Sequence, residues 1–287
     1  MQTFNPHPIS EIFDSSDQYI IPRFQRKYEW GRDKEVNELW QDILASCRTG
    51  KNHYIGSIIM MPVKNQSDKF MLIDGQQRMI TLTLLYRALS EFVEKEGGVD
   101  WPEICRKAYY TKDYDRRKIV RASTDEESYV KIINRKDHYT GNLDRVERCY
   151  QFFYEEIKEL KEHPDDVSIA SLLDTLKTRI TLMPVNVDKE DPCILFESVN
   201  NTGKKLTPIS MLHNYVMLKC VSVETDINEG IIQKEIDDNY WMPFSNLSEK
   251  ENVLLDYLRT YLTIFVGPTP KSDIYNNAKK LIKNFPN

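Results

Sequence analysis

The longest run of apolar positions lies between Gln76 and Lys95, where Ile80, Leu82, Leu84, Leu85, Leu89, Phe92 and Val93 cover more than one helical face. That pattern predicts a central, mostly buried helix starting near Gln76 or Gln77 and ending at about Lys95, before Gly97-Gly98. Just upstream, Phe70 to Ile73 reads as a buried strand that stops at an Asp74-Gly75 turn. His53 to Met61, closed by Pro62, predicts a second strand. The polar link from Lys64 to Lys69 makes the two strands antiparallel neighbours, with Gly56 marking a close backbone approach.

The remaining pattern is largely helical. Val36, Leu39, Trp40, Ile43, Leu44 and Cys47 recur at helical spacing and predict a helix from Asp33 to Cys47. Amphipathic helices are predicted over Arg145 to Glu162 and Ser168 to Lys177. A strand follows over Arg179 to Val187, placed at an edge or a bulge by Pro184. Glu190 to Asn200 predicts a helix with proline at its start, ending in the turn Asn200-Asn201-Thr202-Gly203-Lys204-Lys205. Thr207-Pro208 opens the next one, threonine as cap and proline in the first turn. Asp226 to Tyr240, Ser248 to Phe265 and Ser272 to Phe285 complete the helices, with an aromatic knot at Tyr240 to Phe244. Residues 1–19 are polar apart from one short turn at Ser10 to Phe13. Pro22 argues against a central strand over residues 20–30 and for an extended edge or loop. The fold class is therefore α+β: a small sheet from about residues 20–75 with a central buried helix, then a mostly helical region. The expected divisions are residues 1–98, 99–222 and 223–287.

Composition narrows the function classes. The chain has 287 residues, 40% hydrophobic and 29% charged, an ordinary balance for a globular protein with a sizeable core. Its net charge of −5 means that any nucleic-acid contact must come from a local patch. The five cysteines are odd in number and widely spaced, which argues for a reducing compartment and against a zinc site or disulfide framework. With no apolar leader and no run of membrane-spanning length, a cytoplasmic protein with no membrane contact is the expectation.

Candidate chemistry clusters in four places. A helix starting at Gln76 leaves its first N–H groups without partners and attracts anions, and Arg78 adds fixed positive charge in that first turn. Positive charge there opposes the helix dipole, a conflict that a bound phosphate or carboxylate resolves. The alternative is a structural turn in which Asp74 caps the helix and Arg78 pairs with a nearby acid. Upstream, Arg23, Phe24, Arg26, Lys27, Tyr28 and Trp30 interleave cations and aromatics, suited to a ligand groove or to arginine stems covering aromatic faces. Arg106, Lys107, Lys112, Arg116, Arg117, Lys118 and Arg121 form a basic stretch with Tyr109, Tyr110 and Tyr114. Such a stretch suits phosphate and base contacts, or is a solvated charged face. The Asn201-Thr202-Gly203-Lys204 turn is competent to hold phosphate, or is ordinary helix-end chemistry. No GxxxxGK[ST] occurs, so a P-loop NTPase is excluded.

Three stretches in this order, Ile21-Pro22-Arg23-Phe24-Gln25-Arg26-Lys27-Tyr28-Glu29-Trp30, Asp74-Gly75-Gln76-Gln77-Arg78, and Phe196 to Gly203 with Leu206, resemble the GmrSD-type restriction endonuclease N-terminal domain family. The resemblance spans about residues 10–220 and implies a ParB/sulfiredoxin-like fold near the N-terminus. Phe24 departs from the pattern, since many relatives carry tyrosine there. The resemblance implies a nucleotide-binding, nucleotide-hydrolysing domain (GTP or ATP with Mg2+) in a bacterial defence system against modified foreign DNA. It implies modified duplex DNA, a nuclease domain or subunit and a second copy of the chain as partners, since the chain carries no His-Asn-His constellation of its own. On this reading Asp74 orients a water or the magnesium ion, Arg78 neutralises phosphate charge, and Gln77 positions the attacking water or holds a phosphate oxygen. Gln25, Arg26, Gly75, Gln76 and Thr81 line the nucleotide, and Asn201, Gly203 and Lys204 close the phosphate site. Arg23, Tyr28, Arg106, Lys107, Arg116 and Arg117 would meet DNA. Two other classes compete: a non-catalytic module that recognises modified DNA, and a ParB-like nucleotide-gated DNA clamp. A clamp of that kind predicts a helix-turn-helix after the nucleotide motif, where this chain has one long apolar helix.

Overall fold

The computed structural model describes residues 5–22, 25–63, 65–96, 100–121, 126–134, 143–164, 166–187, 207–221, 231–248 and 250–284. It divides into two compact units, Met1–Asp188 and Lys189–Asn287. The boundary differs from the three divisions expected above: residues 99–187 belong to the first unit and supply two strands of its sheet.

The first unit is α+β. Its six strands are β1 (His7–Pro8), β2 (Gln18–Ile21), β3 (His53–Val63), β4 (Gln66–Asp74), β5 (Ile119–Arg121) and β6 (Ile180–Asn186), in the order β1-β6-β3-β4-β2-β5. β3 and β4 form the antiparallel hairpin that the polar link between the two apolar runs predicts, with Asn65 at a positive φ of 63° in its turn. β2 runs parallel to both β4 and β5, and β6 runs parallel to β3. The sheet thus extends beyond the expected span of residues 20–75. β2 is also an interior strand, buried along its whole length; it stops at Ile21, so Pro22 ends the strand rather than excluding it. Pro184 fits its place: the neighbour beyond β6 is only β1, paired at Thr181 and Leu182, so the missing N–H of Pro184 disrupts no second ladder.

The long helix α3 (Gln76–Glu96) is buried on every side from Met79 to Leu89, as its all-round apolar pattern requires. It packs against α4 (Trp101–Tyr109), α5 (Glu126–Ile133) and α6 (Arg145–Glu162). Thr83 and Arg87 inside this layer find polar partners. Thr83 Oγ1 lies 3.0 Å from Tyr129 Oη, and buried Arg87 donates to Ile132 O at 3.1 Å while pairing with Glu91. Asp144 and Glu147 close a reciprocal capping box on α6. α1 (Ile9–Phe13) and α2 (Asn37–Thr49) pack on α7 (Ile169–Thr178), which Ser168 caps through Ser171 N–H at 3.1 Å. α2 is preceded by a π-helical turn over Arg32–Val36.

In the second unit Thr207 caps α8 (Pro208–Val221) through Ser210 N–H at 3.2 Å, as the Thr-Pro pair predicts. α9 (Ile231–Ile236), a π turn (Asp237–Trp241) and α10 (Met242–Ser245) follow, then α11 (Glu251–Val266) and α12 (Ile274–Asn284). Trp241 stacks on His213 at 4.5 Å and meets Phe244 at 5.7 Å, which is the expected aromatic knot. Among the described residues no helix is long and apolar enough to cross a membrane.

One buried cation makes the first unit's stability sensitive to alkaline pH. Lys118 is fully buried and its Nζ donates to Phe13 O at 3.1 Å, to Ser15 Oγ at 3.2 Å and to Ser15 O. Burial pulls its pKa down to about 8 from 10.5, against the opposing pull of Asp17 and Asp14. Between those values the unfolded chain binds the extra proton, so this group's contribution to stability rises with pH across that window. Below about pH 8 the folded state carries the full cost of a buried charge. Urea denaturation midpoints of wild type and Lys118→Met, compared from pH 7 to 10, should therefore show the wild type gaining ground as pH rises. A constant difference would contradict this assignment.

Candidate functional site

β4 delivers the chain to Asp74, and Gly75 turns it into α3 at a φ of 87°. A Cβ on Gly75 would lie 2.8 Å from Ile58 Cγ2 and 3.0 Å from Ser57 O, so both the backbone angle and the space require glycine. The first helical N–H groups emerge at the end of the sheet beside exposed Asp74. Among the described residues Asp74 makes no capping hydrogen bond to them.

The two glutamines of the motif reach sideways to the segment that follows β2. Gln77 Oε1 accepts from Glu29 N–H at 2.7 Å and from Trp30 N–H at 3.4 Å, and its Nε2 donates to Lys27 O at 3.0 Å. Gln76 Nε2 donates to Arg26 O at 3.3 Å. In return Gln25 Nε2 donates to Ile73 O at 2.9 Å, and Arg145 on α6 donates to Glu29 O. The Arg26-to-Trp30 and Asp74-to-Arg78 motifs, far apart in sequence, are therefore one hydrogen-bonded unit. Gln77 commits both ends of its amide to backbone, which suits holding this segment better than positioning a water.

Tyr28 and Thr81 are placed differently from expectation. Tyr28 is only 3% exposed, its hydroxyl 2.7 Å from Thr81 Oγ1 and donating to Cys149 Sγ at 3.1 Å. Burial pushes its phenol well above the ordinary value and the Cys149 thiol up to about 12. Thr81 also donates to Gln77 O at 2.8 Å. Tyr28 is thus a core anchor for the segment with no surface to offer DNA, and Thr81 serves the same anchor inside the core. An aromatic amid cations reads as surface in a sequence. Its partner Cys149 lies on α6, out of reach of any local pattern.

Arg78 lies on the other side of the helix start. Its guanidinium lies across Gly56 (φ 104°), where a Cβ would be 2.7 Å from Nη2. Nη1 donates to Ser57 O at 2.6 Å, the one hydrogen bond this guanidinium makes among the described residues. Burial lowers its pKa, opposed first by Asp74 and then by Tyr54, a residue 48% exposed on β3. A half-buried guanidinium with five donors and a single bond to the protein keeps donors to offer a hydrogen-bond acceptor. Tyr54 and Ser57 are not among the residues expected here; the sequence signal for them is Gly56 in an otherwise apolar strand.

The basic stretch is largely neutralised within the chain. Lys107 lies between Asp14 at 3.3 Å and Glu103 at 3.4 Å, Arg116 pairs with Asp68 at 2.8 Å, and Arg117 with Glu126 at 3.1 Å. Arg106 stacks on Tyr114 at 4.6 Å and Tyr110 at 5.7 Å, while Lys118 and Arg121 are buried. Arg26 pairs with Glu29 at 3.0 Å. The helix expected over Glu190 to Asn200, together with Arg23, Asn201, Gly203 and Lys204, lies outside the described residues.

Fold and site together define an α+β protein in which a strand–turn–helix is fastened by hydrogen bonds to an arginine-bearing segment. A family model for the GmrSD restriction endonuclease N-terminal domain matches residues 9–217. The chain belongs to that family and is a component of a restriction system. No curated protein matches it.

Gly56→Ala tests the Arg78 cradle. The added methyl must displace the guanidinium and adopt a positive φ, at a cost of about 1–3 kcal/mol. Chemical denaturation should show that loss in the wild-type background and a smaller one in an Arg78→Ala background, whereas equal losses in both would show that the two residues do not compete for this space.

Proposed function

We propose that this chain is the nucleotide-binding and nucleotide-hydrolysing regulatory component of a cytoplasmic, modification-dependent DNA restriction system. The observation that carries the reading is Arg78: a partly buried guanidinium with one hydrogen bond to the protein, in the first turn of a 21-residue helix. Fixed charge and backbone dipoles in a partly dry site favour a polyphosphate more strongly than they would in water.

Roles follow from the placements. Arg78 neutralises charge on the transferred phosphoryl group, and the N–H groups at the start of α3 receive phosphate oxygens. Gly75 keeps the backbone close enough for that contact. Gln77 is a positioning residue that fixes the 27–30 backbone against the helix, and Gln25 ties the same segment to the end of β4. Arg26, one-third exposed on that segment, is available to phosphate or to adjoining DNA by exchange from Glu29. The family resemblance also assigns Asn201, Gly203 and Lys204, which lie outside the described residues, to nucleotide binding.

Asp74 fits a magnesium ion of the kind held by one carboxylate and the substrate's own phosphates. Among the described residues no group of three or more metal-ligating side chains surrounds it. Such an ion would supply charge neutralisation at the phosphates. Cutting of DNA falls to a nuclease domain or subunit that this activity regulates. The pairing of Lys107, Arg116 and Arg117 with acids of the same chain supports this reading over a DNA-recognition module built on that stretch.

Turnover of GTP, ATP and CTP by wild type and Arg78→Ala tests the assignment. Wild type should exceed a no-protein blank with at least one nucleotide, and the variant should fall by on the order of 100-fold, as when one transition-state donor is lost. Equal turnover in both would remove Arg78 from the mechanism.

A further inference from the structure

Gln76 is the first residue of α3, only 4% exposed, and its side-chain oxygen is buried without a hydrogen-bond partner. Its nitrogen is committed to Arg26 O at 3.3 Å. Exchanging the two ends of the amide would set oxygen against oxygen there, so the bond fixes which end is left over. Buried amide oxygens are nearly always satisfied, and one left bare at a helix start points to a ligand that brings the missing donor.

The character of that ligand follows from what surrounds the oxygen. Residues two apart point to different sides of a helix, so Gln76 and Arg78 flank the start of α3 from separate sides, one against the Arg26 backbone and the other against Gly56 and Ser57. One side presents donors that call for anionic oxygen. The other presents an acceptor that calls for an O–H or N–H. An ionised phosphate chain carries acceptors alone and would repel the Gln76 oxygen.

We infer that the Gln76 side-chain oxygen accepts a hydrogen bond from the nucleoside moiety of the ligand, a sugar O–H or a base N–H, while the phosphates lie toward Arg78. The site thereby selects a nucleoside triphosphate over inorganic polyphosphate. This rests on the nucleotide reading above and sharpens it: Gln76 is the specificity-determining residue, and it acts through its oxygen.

The test is equilibrium binding of a ribonucleoside triphosphate, its 2′,3′-dideoxy analogue and inorganic tripolyphosphate to wild type and to Gln76→Met. Wild type should bind the nucleotide at least about 10-fold more tightly than tripolyphosphate, and Gln76→Met should lose about 10-fold for the nucleotide while keeping its affinity for tripolyphosphate. Tripolyphosphate binding also verifies that the variant is folded and its phosphate site intact. If the donor is a sugar hydroxyl, the dideoxy analogue binds wild type more weakly and both proteins alike; if it is a base N–H, the analogue behaves as the parent nucleotide does. A nucleotide preference that survives in Gln76→Met overturns the inference, as does a wild type that binds tripolyphosphate as tightly as nucleotide; in both cases the phosphate site stands. Wild type that binds neither overturns the inference and the nucleotide reading together.

Discussion

A buried side-chain amide has an accepting end and a donating end, and at Gln77 both are bound to the backbone of Lys27, Glu29 and Trp30. The site depends on this interaction. The segment after β2 has no ladder or helix of its own over residues 26–31, so its backbone groups must find partners elsewhere. They find them in two glutamines of the first helical turn and in Arg145 from α6, while the Tyr28 side chain anchors the segment to Thr81 and Cys149. Removing the Gln77 amide would orphan several groups at once, each worth about 1–3 kcal/mol when buried.

That fastening explains why a glycine and an arginine sit beside the glutamines. Gly75 lets the chain reverse against Ile58 and Ser57, so the helix begins at the sheet rather than beyond it. Gly56 then leaves room on β3 for the Arg78 guanidinium. Both positions give up side-chain packing and chain stiffness, a cost characteristic of places where backbone must lie close to something else. What results is a helix start with a guanidinium that makes one hydrogen bond to the protein and an amide oxygen short of a donor. A fold that needed only stability would have matched these groups internally, as it did for Arg87 and Lys118.

Much of this is legible in the sequence, and the limits have physical causes. α3 announces itself because it is apolar on all faces over many turns, and the β3–β4 hairpin because a short polar link joins two apolar runs. Capping at Thr207 follows from local chemistry alone. β2 and β5 do not show, since four and three residues carry no period and are held by neighbours distant in the chain. The basic stretch looks like a bare cationic surface because its acids, Asp14 and Asp68, come from the end of α1 and from β4. Lys118, a cation by composition, is interior because three oxygens of one turn converge on it. The motif glutamines can be recognised as belonging together with the upstream segment. That they belong by direct hydrogen bonds, with one oxygen left over, is visible only in three dimensions.

The central claim is that a nucleotide binds at the start of α3 and is felt by the segment fastened to it. Backbone amide NMR during titration with a nucleoside triphosphate and magnesium tests it most directly. Saturable shifts are expected at Gln76, Gln77 and Arg78, together with shifts at Glu29 and Trp30, whose N–H groups bond to Gln77. Saturable binding that leaves Gln76 to Arg78 unmoved and shifts residues elsewhere would contradict it.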